Sequence, residues 1–289
     1  MPVVIGSICR PALLAVAAAV LTVSCPVLAA AGDHFDQRYR LYGKQLQKFV
    51  DRDNGLVHYR LWLKDRAGLD SFVQSLAQMK KESYDKFDEK QRGAFWINVY
   101  NALAVRSVLD HYPVKKTLDY YPADSIRQFN DGWEALKFDV MGQPITLYDI
   151  EHDRLRRGFH DPRLHFAVAS ASKDGPKLCP EPFVAATLDT KLEELTRRFF
   201  EQDNALAIDP QRNTVRVSKI FSWFPLDFAA SAGYGKAAFP PPKDEDIILD
   251  FIANYLPAER RHSLEKCRQK LNFDYLPFDW SLNDADSCK

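Results

Sequence analysis

The stretch 93–112, GAFWINVYNALAVRSVLDHY, constrains this chain more than any other. Phe95, Val99, Ala102 and Leu109 recur near helical spacing, as do Ile97, Tyr100, Ala104 and Val108, and the two stripes together wrap most of a helix's circumference. A helix that is apolar on nearly every side has to be surrounded, so the pattern predicts a central buried helix. Asp88 is its expected N-cap, with Glu89 well placed in the first turn against the helix dipole. Pro113 disfavours helical geometry at Tyr112 and puts the end near His111. Asn98 and Asn101 lie three apart, on one face, and a buried carboxamide left unpartnered costs about 1–3 kcal/mol. They are read either as clamps on neighbouring backbone or as a polar floor beneath a site.

In a chain of 289 residues, 46% hydrophobic and 12% aromatic content suffices for a substantial core. Lys plus Arg (39) equals Asp plus Glu (39), so no charge excess draws the chain to nucleic acid or an anionic membrane surface. Residues 1–31 differ from the rest. Arg10 precedes PALLAVAAAVLTVSCPVLAA, an apolar run ending in the small residues Ala29, Ala30 and Ala31. This reads as a secretory signal peptide and predicts a periplasmic or secreted protein. A membrane span needs about 20 apolar residues, and Ser24-Cys25-Pro26 interrupts the run. Cys25 after Thr22-Val23-Ser24 offers a lipidated N-terminus as the alternative, without the leucine expected three residues before the cysteine. Cleavage leaves Cys179, Cys267 and Cys288; the odd number predicts one disulfide, Cys267 with Cys288, and a free Cys179.

Further along, helical spacing covers 34–50 and 69–79, split by the turn-prone Asp51-Arg52-Asp53-Asn54-Gly55, so 32–86 forms a helical N-terminal region. Residues 136–140 alternate as a strand, Gly142-Gln143-Pro144 turns, and Thr146 caps a helix through Arg157 that carries Glu151 and His152. Residues 164–169 read as a strand with His165, Ala167 and Ala169 on one face. Leu188, Leu192, Leu195 and Phe199 mark an amphipathic helix, 205–208 and 215–218 a hairpin, 244–255 a helix and 271–275 a last strand. The expected architecture is α+β: helices first, then an antiparallel β-sheet packed against the central helix.

The blocks AFWINVYNAL, HYPVK, ITLYDIEHDRLR, DPRLHFAVASASK, VSKIFSWFPLDF and YLPFDWSLND resemble, in order, those of the DUF547 family of unknown function, over about residues 87–284. The resemblance makes 87–289 a DUF547-like α+β domain and implies a scaffold like that of papain-type cysteine hydrolases or glutathione-handling transpeptidases. It matches Asn98, Asn101, Glu151, His152, His165 and Lys219 to the family blocks. The family's Cys-Pro-Pro-Leu loop reads Gly175-Pro176-Lys177-Leu178 here, so the family cysteine falls on Gly175, with Cys179 four residues on. A papain-type nucleophile would immediately precede Trp96, and Phe95 stands there.

Cysteine chemistry needs a thiolate, a histidine to take its proton and an orienting group. Cys179, His152 or His165, and Glu151 or an Asn of the central helix supply those types; Asn98, Asn101 and Lys219 are the candidate binding residues. Each also has a plain reading: Cys179 as a loop thiol, His152 bonded to backbone, His165 as a satisfied core histidine. Ser170 and Ser172 are further hydroxyl candidates. The spacing of His152, His160 and His165 fits no zinc motif, and no phosphate-cradling glycine loop or GxSxG elbow occurs, so no metal or cofactor is expected and nucleotide enzymes and serine hydrolases are disfavoured. Two functions remain. One is a binding or scaffold domain with a polar cleft but without the family cysteine; the other is a cysteine-type amidase or transpeptidase acting on peptides or glutathione-like thiols.

Overall fold

Asp36 sets where the first helix begins. Its carboxylate accepts the N–H groups of Arg38 (3.2 Å) and Arg40 (3.0 Å), and Tyr39 turns left-handed at φ 50°. Helix α1 therefore runs only over Arg40–Phe49, shorter than the 34–50 span that its spacing predicts. The computed structural model describes residues 35–129, 133–229, 231 and 242–287. The signal-peptide reading of 1–31 and Cys288 of the expected disulfide lie outside these residues. After α1 come α2 (Tyr59–Lys64), α3 (Ala67–Gln78), α4 (Lys81–Asp85) and the long α5 (Glu89–His111).

The N-cap of α5 is Asp88, as its sequence predicts. The Gln91 N–H donates to the Asp88 side chain at 2.8 Å, and the Asp88 N–H donates to the Gln91 side chain at 2.8 Å, a reciprocal capping box. Both apolar stripes of α5 are buried, with Phe95, Ile97 and Val99 fully enclosed.

Strands β1 (Phe138–Val140) and β2 (Gln143–Ile145) form an antiparallel hairpin. Thr146 then caps a helix that changes winding along its length: α6 (Leu147–Asp149), a π-helical stretch over Ile150–Arg156, and α7 (Arg157–Phe159). Helix α8 (Leu188–Phe199) follows, then β3 (Leu206–Asp209), β4 (Thr214–Val217), α9 (Ile220–Trp223), α10 (Asp244–Ala253), α11 (Ala258–Arg268) and β5 (Asn272–Tyr275). Strands β3 and β4 pair antiparallel around a turn in which the Asp209 carboxylate accepts two backbone N–H groups, while β5 joins β4 in parallel.

The mixed helix-and-sheet class expected from the sequence holds, with a different neighbour for the central helix. Helix α5 is surrounded by α2, α3, α6, the π-helical stretch and α8, and the N-terminal helices share its core. The three-stranded sheet lies with α10, α11 and Phe166 in a second apolar cluster. No described helix is long and apolar enough to cross a membrane.

Residues 164–169 are the clearest departure from the expected strand: Pro162–Phe166 is a 3-10 helix. Asp161 caps it by accepting the Arg163 N–H at 3.0 Å, and Pro162 supplies a first-turn φ suited to a helix. Beyond it, backbone groups that a neighbouring strand would have paired go to a side chain. Asn101 Nδ2 donates to the Ala167 carbonyl at 3.0 Å, and Asn101 Oδ1 accepts the Ala169 N–H at 2.8 Å.

The tail after β5 is not a loose polar end. Residues 281–284 thread back against earlier parts of the chain, bridging to Val57, Ser125 and Ser172. Tyr59 donates to Asn283 at 2.7 Å and Tyr112 to Asp284 at 2.8 Å.

Candidate functional site

Tyr100 sits on the face of α5 toward the π-helical stretch, and its hydroxyl begins a polar network. It accepts from Trp133 Nε1 at 2.9 Å and donates to Glu151 Oε2 at 3.2 Å. Burial, followed by the adjacent Glu151 charge, pushes the phenol far above its ordinary range, so Tyr100 stays a neutral donor. These residues border a cavity of about 350 Å³ whose other walls are strongly aromatic, with Tyr121, Tyr148, Trp223, Phe224, Phe278 and Trp280 among them.

Within the π-helical stretch, His152 and Arg156 lie four residues apart on one face, and a guanidinium nitrogen of Arg156 contacts His152 Nδ1. Wide turns of this kind occur frequently at functional sites. Arg156 continues to Asp227, with Nε on one carboxylate oxygen at 2.6 Å and Nη2 on the other at 3.1 Å. His165 Nε2 meets the same carboxylate at 2.8 Å. Burial alone would raise Asp227, but the hydrogen bonds and charges of His165 and Arg156 overcome it and hold the carboxyl well below the usual carboxylate range. Burial, aided by Arg156 and Arg157, pushes His152 down and favours its neutral form, against the pull of Glu151.

Phe224 fixes two members of this chain. Its ring stacks on His165 at 4.7 Å with 15° between planes, and the Arg156 guanidinium lies 4.0 Å from its centroid. Across the cavity, Arg127 lies over Trp280 at 4.6 Å and 3.7 Å from Glu134. Its Nε is buried with no hydrogen-bond acceptor among the described residues.

Of the residues singled out from sequence, Glu151, His152 and His165 are brought together on this cavity, along with Ser170. Asn98 and Asn101 act as backbone clamps beside it. Asn98 Nδ2 donates to the Phe183 carbonyl at 2.7 Å while its Oδ1 accepts the Phe183 N–H at 2.9 Å, the same two-point grip that Asn101 has on residues 167 and 169. Lys219 is exposed, and its carbonyl accepts from Ser222. Cys179 lines a different cavity, of about 270 Å³, with Arg52, Lys177 and Arg198. Burial pushes its thiol up despite the opposing Lys191 charge, the reverse of what a nucleophile needs. Phe95, at the position a papain-type nucleophile would occupy, is fully buried against Phe35 and Tyr84.

Gly175 packs against the Ser170–Ser172 pair: a Cβ there would lie 2.6 Å from Ser172 Oγ and 2.7 Å from Ser170 Oγ. The position where the resemblance puts the family cysteine thus adjoins the cavity through Ser170. Residues 84–200 match the family model described as protein of unknown function, DUF547. This segment is a DUF547 domain. No curated protein and no solved structure matches the chain. The DUF547 match takes in Tyr100, both Asn clamps, Glu151, His152, His165 and Cys179. It stops short of Asp227 and of the aromatic wall at 223–224 and 278–280, although the blocks VSKIFSWFPLDF and YLPFDWSLND resemble the family as well.

Asp227, Arg156, Arg127 and Trp133 are among the site residues that sequence reasoning did not single out. A signal for Asp227 exists: it is the one acidic residue in FSWFPLDF, and a carboxylate set among aromatics needs a cationic or hydrogen-bonding partner.

Proposed function

We propose that this is an exported, periplasmic or secreted, DUF547 protein that binds a small, partly apolar ligand in the aromatic cavity and does so without cysteine chemistry. One observation carries the binding reading: a cavity of about 350 Å³, walled by Trp223, Phe224, Phe278 and Trp280, also presents convergent polar groups on Tyr100, Glu151, His165 and Arg127. Concave, mainly apolar sites with a few fixed polar groups are how proteins take small ligands. The rings suit a flat or apolar face, and the Arg127 side chain on the cavity wall brings a positive charge for a carboxylate. The location and raised pKa of Cys179 support a reading without a thiol. Export rests on the apolar run before Ala29–Ala31.

Titration with the fluorescent dye anilinonaphthalene sulfonate tests the cavity. The expected result is saturable binding that weakens in Trp280→Ala and in Arg127→Ala and is unchanged after Cys179 has been alkylated. Dye binding indifferent to both substitutions would refute the site. A Cys179 that alkylates readily in mild acid, and only when His152 or His165 is present, would restore the cysteine reading.

A further inference from the structure

The cavity holds more than a binding surface needs. Asp227 is tied to His165 Nε2 at 2.8 Å and is itself held by two nitrogens of Arg156. An ionised carboxylate can only accept a hydrogen bond in that contact, so Nε2 carries a hydrogen there and, in the neutral ring, Nδ1 keeps the lone pair that a general base uses. The ring has little freedom to turn: its side chain is 4% exposed, Phe224 stacks on one face and Phe228 packs at 5.4 Å.

Ser170 also lines this cavity and is its one aliphatic alcohol among the described residues, beside the phenols of Tyr100, Tyr121 and Tyr148. Contacts on both sides of Ser170 hold the segment that follows His165. Asn101 grips residues 167 and 169 from the central helix. Ser172, 1% exposed, shares a hydrogen bond with Ser170 Oγ at 2.7 Å. Between the two serines Ala171 is held left-handed at φ 56°, where an alanine is strained, and its carbonyl is fastened by the Asn283 N–H at 3.1 Å. Such strain is retained where surrounding structure over-determines a residue, commonly at functional sites. Gly175 completes the arrangement, since any Cβ there would displace one serine or both.

From this juxtaposition we infer that Ser170, His165 and Asp227 form an acyl-transfer triad acting on carboxylic esters whose apolar portion rests on the aromatic walls. In the first step Ser170 Oγ bonds to the ester carbonyl carbon as its proton passes to His165 Nδ1. The carbon–oxygen bond to the alcohol then breaks, and that alcohol leaves with the proton from Nδ1. Water next attacks the acyl-serine, giving one proton to Nδ1 and a hydroxyl to the carbonyl carbon; Ser170 Oγ departs and recovers the proton. Asp227 remains ionised throughout and steadies the imidazolium, with Arg156 keeping it in place. Because His165 bonds Asp227 through Nε2, its base is Nδ1, and the serine sits on a clamped loop after a 3-10 helix rather than on a strand-to-helix elbow.

Treating the full chain with a fluorophosphonate probe and mapping the adduct tests this. The expected result is a single adduct on Ser170, abolished in Ser170→Ala and slowed about a hundredfold in His165→Gln, a loss typical of a missing general base. In the wild type, the labelling rate should rise with pH, a readout that depends on no variant's folding. Gly175→Ala, which crowds the serine pair, should slow labelling while the far-ultraviolet circular dichroism stays that of the wild type. No adduct, an adduct on another residue, or a rate indifferent to both pH and His165→Gln would overturn the triad.

Discussion

Asn101 Oδ1 accepts the Ala169 N–H at 2.8 Å, and the same carboxamide donates to the Ala167 carbonyl, so one side chain of the central helix takes the place of a strand neighbour for the loop beyond His165. Asn98 does the same for both backbone groups of Phe183. Leucine matches the size of asparagine and favours a helix, yet it would strand two buried backbone groups at each site, each costing about 1–3 kcal/mol. Asn98→Leu and Asn101→Leu are therefore both expected to lower the urea midpoint, and unchanged midpoints would mean that the clamps are solvated.

The C-terminal segment is held by a similar exchange over a long sequence distance. Tyr59 donates to Asn283 Oδ1 at 2.7 Å, and Asn283 is 1% exposed. Tyr59→Phe removes only the donor and leaves that oxygen buried without it, at a cost of about 1–3 kcal/mol. Limited proteolysis should cut the variant's tail faster than that of the wild type; equal rates would show that the contact does not hold the tail.

Ala171 gives a prediction about backbone rather than contacts. Its left-handed φ of 56° costs an L-residue roughly 1–2 kcal/mol, and a β-branched side chain still more. Glycine removes that strain but adds freedom to the unfolded chain worth about 0.5–1 kcal/mol. Ala171→Gly should thus be neutral to stabilising, and Ala171→Val should lose more than about 1 kcal/mol from the φ alone. The reverse order in thermal melts would place residue 171 in an extended conformation.

How far the sequence exposes all this follows from the range of each interaction. Helix α5 was legible because Asp88, Pro113 and the two apolar stripes act within a few residues of one another. Residues 164–169 misled because a short apolar run reads alike as a strand or as a buried turn. What decides is a side chain at position 101, more than sixty residues earlier. Helix α11 has few apolar residues in AERRHSLEKCR, so it offers little periodicity although Leu264 and Cys267 are fully buried. Glu151, His152 and His165 could be picked out by type and by resemblance, but Trp280 on the cavity wall and Asp227 behind His165 make contacts that no local pattern encodes.

Acid sensitivity is the last consequence, and its sign follows from Asp227. The folded-state carboxyl lies below its unfolded value of about 3.9, because His165 and Arg156 favour the ionised form more than burial opposes it. A group lowered in this way contributes stability that is fully present above the unfolded value and is lost as pH falls from there through the folded one. Asp227→Asn cannot ionise and so lacks that contribution at every pH. At pH 7 the variant should unfold at clearly lower urea than the wild type, with Arg156 and His165 losing their shared partner. Below about pH 4 the carboxyl of the unfolded wild-type chain begins to protonate while the folded one stays ionised, so the gap between the two midpoints should narrow as pH falls. Paired urea titrations from pH 7 to pH 2.5 check this, and a gap that stays constant across the range would show that the His165–Asp227–Arg156 chain is not formed in solution.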